Sequence, residues 1–342
     1  MIGFRVDMNK QIASGHLMRS LTIAKEVRKL GEDVLFLSSD DGVDSILSSA
    51  GFSYINLNCD YSDWESSLDR TLEVIRSNRI QVLFTDSYLV SDSVLSVLNR
   101  HTRVAYIDDF IKKPLDVSLL LVPTQSLDTS VLTDMYHDKS TKLLVGSEYL
   151  IIREEFLKTS NDANPEQVFL TTGGTDPGNF TAAFLEKAMN HPVLKDKKYT
   201  VVLGSLYEDA QLLKERYQNY SNISFHQNVT NMGELMKQCS FAVSAGGNTL
   251  YELICCGIPT VCIALSPDQE ALGERLENKG IVSYCGNDLK QPDECVAKAV
   301  SMLSELMLSD PDSISELKNT YHSFTDGMGA ARIAKALVEL AE

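Results

Sequence analysis

The chain has 342 residues, of which 44% are hydrophobic and 23% charged, and its formal net charge is -16. That length suggests about two domains, each able to bury a core without disulfide or metal staples. The acidic balance argues against an extended nucleic-acid interface, which is strongly basic, but still allows an anionic small molecule held by local donors. The seven cysteines are odd in number and form no C-x-x-C pair, so they read as reduced thiols of a cytosolic protein. No apolar run reaches bilayer length and no secretory signal opens the chain, so a cytoplasmic protein without a membrane span is expected.

In chain order, the first half predicts strands at 2–6, 34–38, 81–86, 102–107 and 119–122. Helix-like segments fall at 18–30, 66–77 and 91–99. The first carries Leu21, Ile23, Ala24 and Val27 inward and stops at Gly31. Strands alternating with helices predict a parallel sheet covered on both faces. A polar, turn-forming stretch at 160–165 marks a boundary between domains 1–160 and 161–342. The alternation then restarts, with strands at 167–172, 199–203, 223–225, 240–244 and 260–264. Helices are predicted at 181–189, 209–217, 232–238, 249–256 and 270–279. A last helix at 330–340 is free to pack on either domain. The expected fold class is α/β, with two doubly wound Rossmann-like domains facing a cleft where ligands commonly lie.

The chemistry-bearing residues cluster at strand ends. Phe4-Arg5-Val6-Asp7 leads through Gly15-His16 into Leu17-Met18-Arg19, placing a histidine where a helix begins. Helix N-termini there attract anions, and imidazole exchanges protons near neutral pH. Asp86-Ser87-Tyr88 and Asp108-Asp109 follow two further strands and put polar groups on the same edge, where an aspartate can orient an imidazole or hold sugar hydroxyls. In the second half, Gly173-Gly174-Thr175-Asp176 and Gly246-Gly247-Asn248-Thr249 each follow a buried strand. Paired glycines let backbone N–H groups approach a ligand closely. The second loop leads into a helix carrying Glu252, placed to accept from a ribose diol. Leu265-Ser266-Pro267-Asp268-Gln269 forms a third loop. None of these is a Walker A or Gly-x-Gly-x-x-Gly motif, so dinucleotide redox chemistry is disfavoured. His101, His137, His191, His226 and His322 lack convergent partners, and no cluster with metal-ligand spacing or catalytic triad emerges.

Taken together, residues 4–19, Tyr149-Leu150-Ile151-Ile152-Arg153-Glu154-Glu155-Phe156, Gly173-Gly174-Thr175-Asp176, Gly246-Gly247-Asn248-Thr249 with Glu252, and the closing 326–333 resemble the PseG/SpsG group. A hydrolase of UDP-2,4-diacetamido-2,4,6-trideoxy-β-L-altropyranose in pseudaminic acid biosynthesis is its best-known member. The resemblance implies a GT-B fold like that of MurG-type glycosyltransferases, with UDP on the C-terminal domain. It makes His16 the base that activates water and puts Tyr88 on the sugar side. Gly246 and Gly247 would hold the diphosphate, and Glu252 would lie near the nucleoside. Asp268 is counted with His16 and Tyr88 among the expected catalytic residues, and Gln269 beside it among the substrate contacts of that third loop. Asp7, Gly15, Arg19, Asp86, Asp108, Asp109, Gly173, Gly174, Thr175, Asn248 and Thr249 complete the expected substrate contacts. The implied reaction is metal-free and cofactor-free hydrolysis of a UDP-sugar by a monomer. UDP is a good leaving group, so N–H groups at its diphosphate can stand in for a strong general acid. Two positions depart from the family pattern: Ala13 replaces a glycine, and Asp268 replaces an asparagine. The competing readings are a glycosyltransferase that passes the sugar to an acceptor and a non-enzymatic nucleotide-sugar binder.

Overall fold

The computed structural model of the chain describes residues 1–9, 15–109, 111, 113–123, 129–137, 139–157, 164–204 and 206–342. Ala13 and the expected boundary at 160/161 lie outside these residues. The first part runs β1 (Ile2–Val6), α1 (Gly15–Lys29), β2 (Val34–Ser38), α2 (Asp44–Ser49), β3 (Ser53–Asn56) and α3 (Leu68–Asn78). It continues with β4 (Val82–Asp86), α4 (Asp92–Asn99), β5 (Arg103–Ile107), β6 (Leu119–Val122), α5 (Thr129–Met135) and β7 (Lys142–Val145). These strands pair in parallel in the order β3-β2-β1-β4-β5-β6-β7.

The second part runs β8 (Asn164–Thr171), α6 (Phe180–Met189), β9 (Lys198–Leu203), α7 (Ala210–Arg216), β10 (Ile223–Gln227) and α8 (Met232–Met236). There follow β11 (Cys239–Ala245), α9 (Asn248–Cys255), β12 (Thr260–Ala264), α10 (Pro267–Asn278), β13 (Ser283–Asn287), α11 (Pro292–Leu308) and α12 (Pro311–Phe324). Its strands are also parallel, in the order β10-β9-β8-β11-β12-β13. Among the described residues, no helix is long and apolar enough to cross a membrane.

All five residues of β1 and of β4 are buried, as expected of central strands covered on both faces. Their side chains alternate between two cores. Ile2, Phe4 and Val6 join α1 on one face, where the Phe4 ring lies 5.2 Å from Phe36 and 5.3 Å from Phe84. Leu35, Leu37, Leu83 and Trp64 fill the other face. In the second sheet, Val168, Leu170, Val243 and Ile263 meet Phe180, Phe184 and Leu185 of α6.

The chain folds as two units, Met1–Ile152 with Gly327–Glu342, and Arg153–Asp326. The tail, which the sequence leaves free to pack on either domain, lies with the first unit. The cause is α13 (Gly329–Ala341), whose Ala330, Ile333, Ala334 and Leu337 are buried in the same core as α1. Burying a side chain the size of Ile333 or Leu337 contributes about 1.5–3 kcal/mol. A Cβ on Gly329 would come within 2.2 Å of the Leu150 carbonyl, so glycine is required where the tail meets the first unit.

Each sheet has one place where the strand order reverses, between β1 and β4 in the first and between β8 and β11 in the second. Neighbouring loops leave such a point in opposite directions and open a crevice at the carboxyl ends of the strands, where open α/β sheets bind ligands.

Candidate active site

At the switch point of the first sheet, α1 begins one residue before His16, and β4 ends on Asp86. The His16 Nδ1–H donates to Asp86 Oδ1 at 2.5 Å. Arg19, one turn further along α1, donates to both Asp86 oxygens at 2.6 Å, through Nε and Nη2. Its Nη1 reaches Asp109 Oδ2 at 2.8 Å, an oxygen that also accepts from the Tyr88 hydroxyl at 2.7 Å. The Tyr88 ring stands edge-on to the imidazole, with centroids 4.6 Å apart. The structure thus joins His16, Arg19, Asp86, Tyr88 and Asp109 in one network.

The electrostatics follow from burial. Taking Asp86 out of water pushes its carboxyl up, but the Arg19 guanidinium and the His16 imidazole outweigh this and hold it below the ordinary carboxylate value. An ionised Asp86 fixes the imidazole tautomer with the proton on Nδ1. Nε2 then has a free lone pair, and it has no partner among the described residues. Burial and the Asp109 charge push the Tyr88 phenol well up, so it stays a donor although the residue is 49% exposed.

The other expected residues of this unit lie elsewhere. Asp7 is directed away from the network, with its Oδ1 accepting from Arg5 Nη1 at 2.5 Å and from the Ser39 amide at 2.6 Å. Arg5 is fully buried, and its guanidinium lies 4.5 Å from the Trp64 ring centroid. Asp7 therefore neutralises a buried cation. Asp108 accepts the Ile111 amide at 3.1 Å, and Gly15 is exposed at the helix start.

In the second unit, three helix N-termini differ in what occupies them. Asp176 accepts the Phe180 and Thr181 amides at 2.9 Å each, so the start of α6 already holds a carboxylate. Gly173 has φ +87°, and a Cβ on Gly204 would come within 2.3 Å of the carbonyls of Gly173 and Gly174. That glycine pair is packed against the turn after β9, with Thr175 exposed beyond it. In α10, Ser266 accepts the Gln269 amide at 3.3 Å, and Asp268 and Glu270 lie in the first turn. The Gln269 side chain accepts the Leu265 amide at 2.9 Å, while its backbone packs against Gly246. Asp268 is exposed.

By contrast, α9 has neither a side-chain cap nor an acid in its first turn. The Gly246 and Gly247 amides are committed to the Ile263 and Ala245 carbonyls at 2.9 and 2.8 Å. The donors left for an anion are the amides of Asn248 and Thr249, the first two residues of the helix. On the same helix, Glu252 Oε1 accepts from Arg153 Nε at 3.2 Å and Nη2 at 2.9 Å. Burial pushes the Glu252 carboxyl up, and Arg153 partly opposes the shift.

Sequence reasoning missed two residues of this unit. Arg153 lies within the 149–156 segment that carries the family resemblance, with no role of its own implied there. Asp288, just after β13, is 1% exposed, and neither of its oxygens has a hydrogen-bond partner among the described residues. Burial, aided by the nearby Asp176, pushes its carboxyl up to about 6. A strand-end acid was the available signal, but it requires β13 to be recognised first.

No family model matches the chain. It is 27% identical over 277 residues to an uncharacterized protein of Methanocaldococcus jannaschii, a match covering 77% of this chain and 55% of that protein. The spore coat polysaccharide biosynthesis protein SpsG of Bacillus subtilis is 24% identical over 277 residues, covering 79% of this chain and 80% of SpsG. The UDP-2,4-diacetamido-2,4,6-trideoxy-β-L-altropyranose hydrolase of Campylobacter jejuni is 23% identical over 281 residues, covering 81% and 96%. These two named relatives carry the resemblance to the PseG/SpsG group. Among solved structures, MurG of Acinetobacter baumannii superposes with a TM-score of 0.65 at 10% identity, covering 99% of this chain and all of MurG. The UDP-GlcNAc 2-epimerase of Neisseria meningitidis, bound to UDP-GlcNAc, superposes at 0.69 with 13% identity, covering 99% and 100%. At such identities the likeness shows the fold, which is of the GT-B type.

Proposed function

We propose that the protein hydrolyses a UDP-sugar, with the second unit holding UDP and His16 of the first unit activating water. The observation that carries this reading is the His16–Asp86 pair, a buried carboxylate fixing the tautomer of an imidazole whose other nitrogen is free. In the proposed step, water attacks the anomeric carbon while His16 Nε2 takes its proton. The bond from that carbon to the phosphate oxygen breaks, and UDP leaves with the electron pair. The imidazolium formed is neutralised by Asp86. The growing charge on the diphosphate meets the Asn248 and Thr249 amides and the positive end of the α9 dipole. Of the relatives, the C. jejuni hydrolase names the substrate we propose, UDP-2,4-diacetamido-2,4,6-trideoxy-β-L-altropyranose.

The test is to incubate the full chain with that nucleotide sugar alone and measure UDP release. Release without an acceptor supports hydrolysis. Release only when an acceptor sugar is added would replace this reading with glycosyl transfer. The rate is expected to be unchanged by a chelator, since no step uses a metal. In His16→Ala, turnover is expected to fall by about 10²–10⁴-fold while UDP affinity stays unchanged. Equal turnover in the variant would remove His16 from its role.

A further inference from the structure

We propose that Arg153 is a positioning residue of the nucleotide site, holding Glu252 by one carboxylate oxygen and leaving the other to accept from a ribose diol. This rests on the reading of the second unit as a uridine-diphosphate site. An arginine that only neutralises a carboxylate commonly forms a fork, with two parallel N–H groups on two oxygens. Here Nε and Nη2 converge on Oε1 alone, and Oε2 has no partner among the described residues. Arg153 is itself held from other sides, with Nη1 2.9 Å from Glu155 Oε1 and the guanidinium 4.7 Å from the Phe156 ring centroid. Its orientation is therefore set before any ligand arrives.

Glu252 is the fifth residue of α9, and the free amides belong to the first two. Three or four residues of helix separate them by about 5–6 Å along the axis. An anion on the amides thus places the next group of a nucleotide, its sugar, alongside Glu252. A carboxylate with one oxygen held accepts from neighbouring hydroxyls, and a charged acceptor makes that hydrogen bond worth more than a neutral one.

The experiment measures the binding of UDP and of 2′,3′-dideoxy-UDP to the full-length wild type and to Arg153→Met by titration calorimetry. In the variant, the Kd for UDP is expected to rise about tenfold, while the Kd for the dideoxy nucleotide changes by less than about twofold. In turnover, KM is expected to rise with kcat nearly unchanged. Equal losses for both nucleotides, as a merely structural role would give, or no loss for either, would overturn the role of Arg153 and leave the nucleotide site standing. A wild type that binds neither nucleotide would overturn the uridine-diphosphate reading and this inference with it.

Discussion

Asp86 and Asp288 are both buried carboxyls, and their surroundings act on them in opposite directions. Asp86 faces a guanidinium and an imidazole and is held below its ordinary value, so its charge favours the folded state above the carboxylate range and that stability is lost on acidification. The Asp288 carboxyl has no hydrogen-bond partner among the described residues and is pushed up from 3.8 to about 6. The folded protein therefore binds more protons than the unfolded chain between those values, and stability falls as pH rises through them. Asp288→Asn is expected to raise the stability of the second unit at pH 7 by about 1–3 kcal/mol and to do little near pH 4. Denaturant unfolding at the two pH values checks this, and equal effects at both would count against it. Asp86→Asn is expected to reduce kcat by about a hundredfold or more while UDP affinity stays level, because an amide no longer fixes the imidazole tautomer. The sequence showed His16, Arg19, Asp86, Tyr88 and Asp109 one by one as strand-end and helix-start residues. Their assembly around a shared carboxylate was not legible, because it depends on β1 and β4 being neighbours although 75 residues and two other strands separate them in the chain.

At the scale of elements, sequence patterning finds every inner strand and the edge strand β10, and those it misses are β3, β7 and β13. All three are edge strands. An inner strand is covered on both faces and shows a continuous apolar run, whereas an edge strand such as β3 (Ser-Tyr-Ile-Asn) has no buried residue. Four helices were missed as well: the short α2 and α5, and the longer α11 and α12. The last two each open on a proline, a residue that breaks helices internally but is well placed in the first turn. The same element-level view separates the glycine loops. From sequence they look alike, yet the start of α6 is filled by Asp176 while that of α9 is open. Asn248→Asp would put a carboxylate at the open end. It is expected to stabilise α9 by about 0.3–1 kcal/mol and to weaken UDP binding several-fold by competing for the same amides. Unchanged UDP affinity in that variant would place the diphosphate elsewhere.

For the whole molecule, the decisive feature is that the chain crosses from the first unit to the second at Ile152 and returns at Gly327. The stripe of α13 lies in the core that contains Phe4, Phe36 and Phe84, so the stability of the first unit depends on residues beyond the second. Leu337→Ala, at a fully buried position, is expected to lower the unfolding free energy of the first unit by about 2–4 kcal/mol and to leave the second unit's transition in place. Two-transition calorimetry checks this, and a shift of both transitions would show that the units unfold together. Removal of residues 327–342 is expected to abolish turnover through loss of the first unit while the remaining protein still binds UDP.

That return has a consequence for how the protein is made. As the chain leaves the ribosome, β1 to β7 emerge long before α13, and the apolar surface that α13 will cover stays open throughout the synthesis of residues 153–326. The second unit can close on itself first, with all its strands in hand, while the unit bearing His16 waits for a helix translated after it. The order of assembly is thus the reverse of the order of synthesis, and the nascent first half is the stretch most in need of a chaperone.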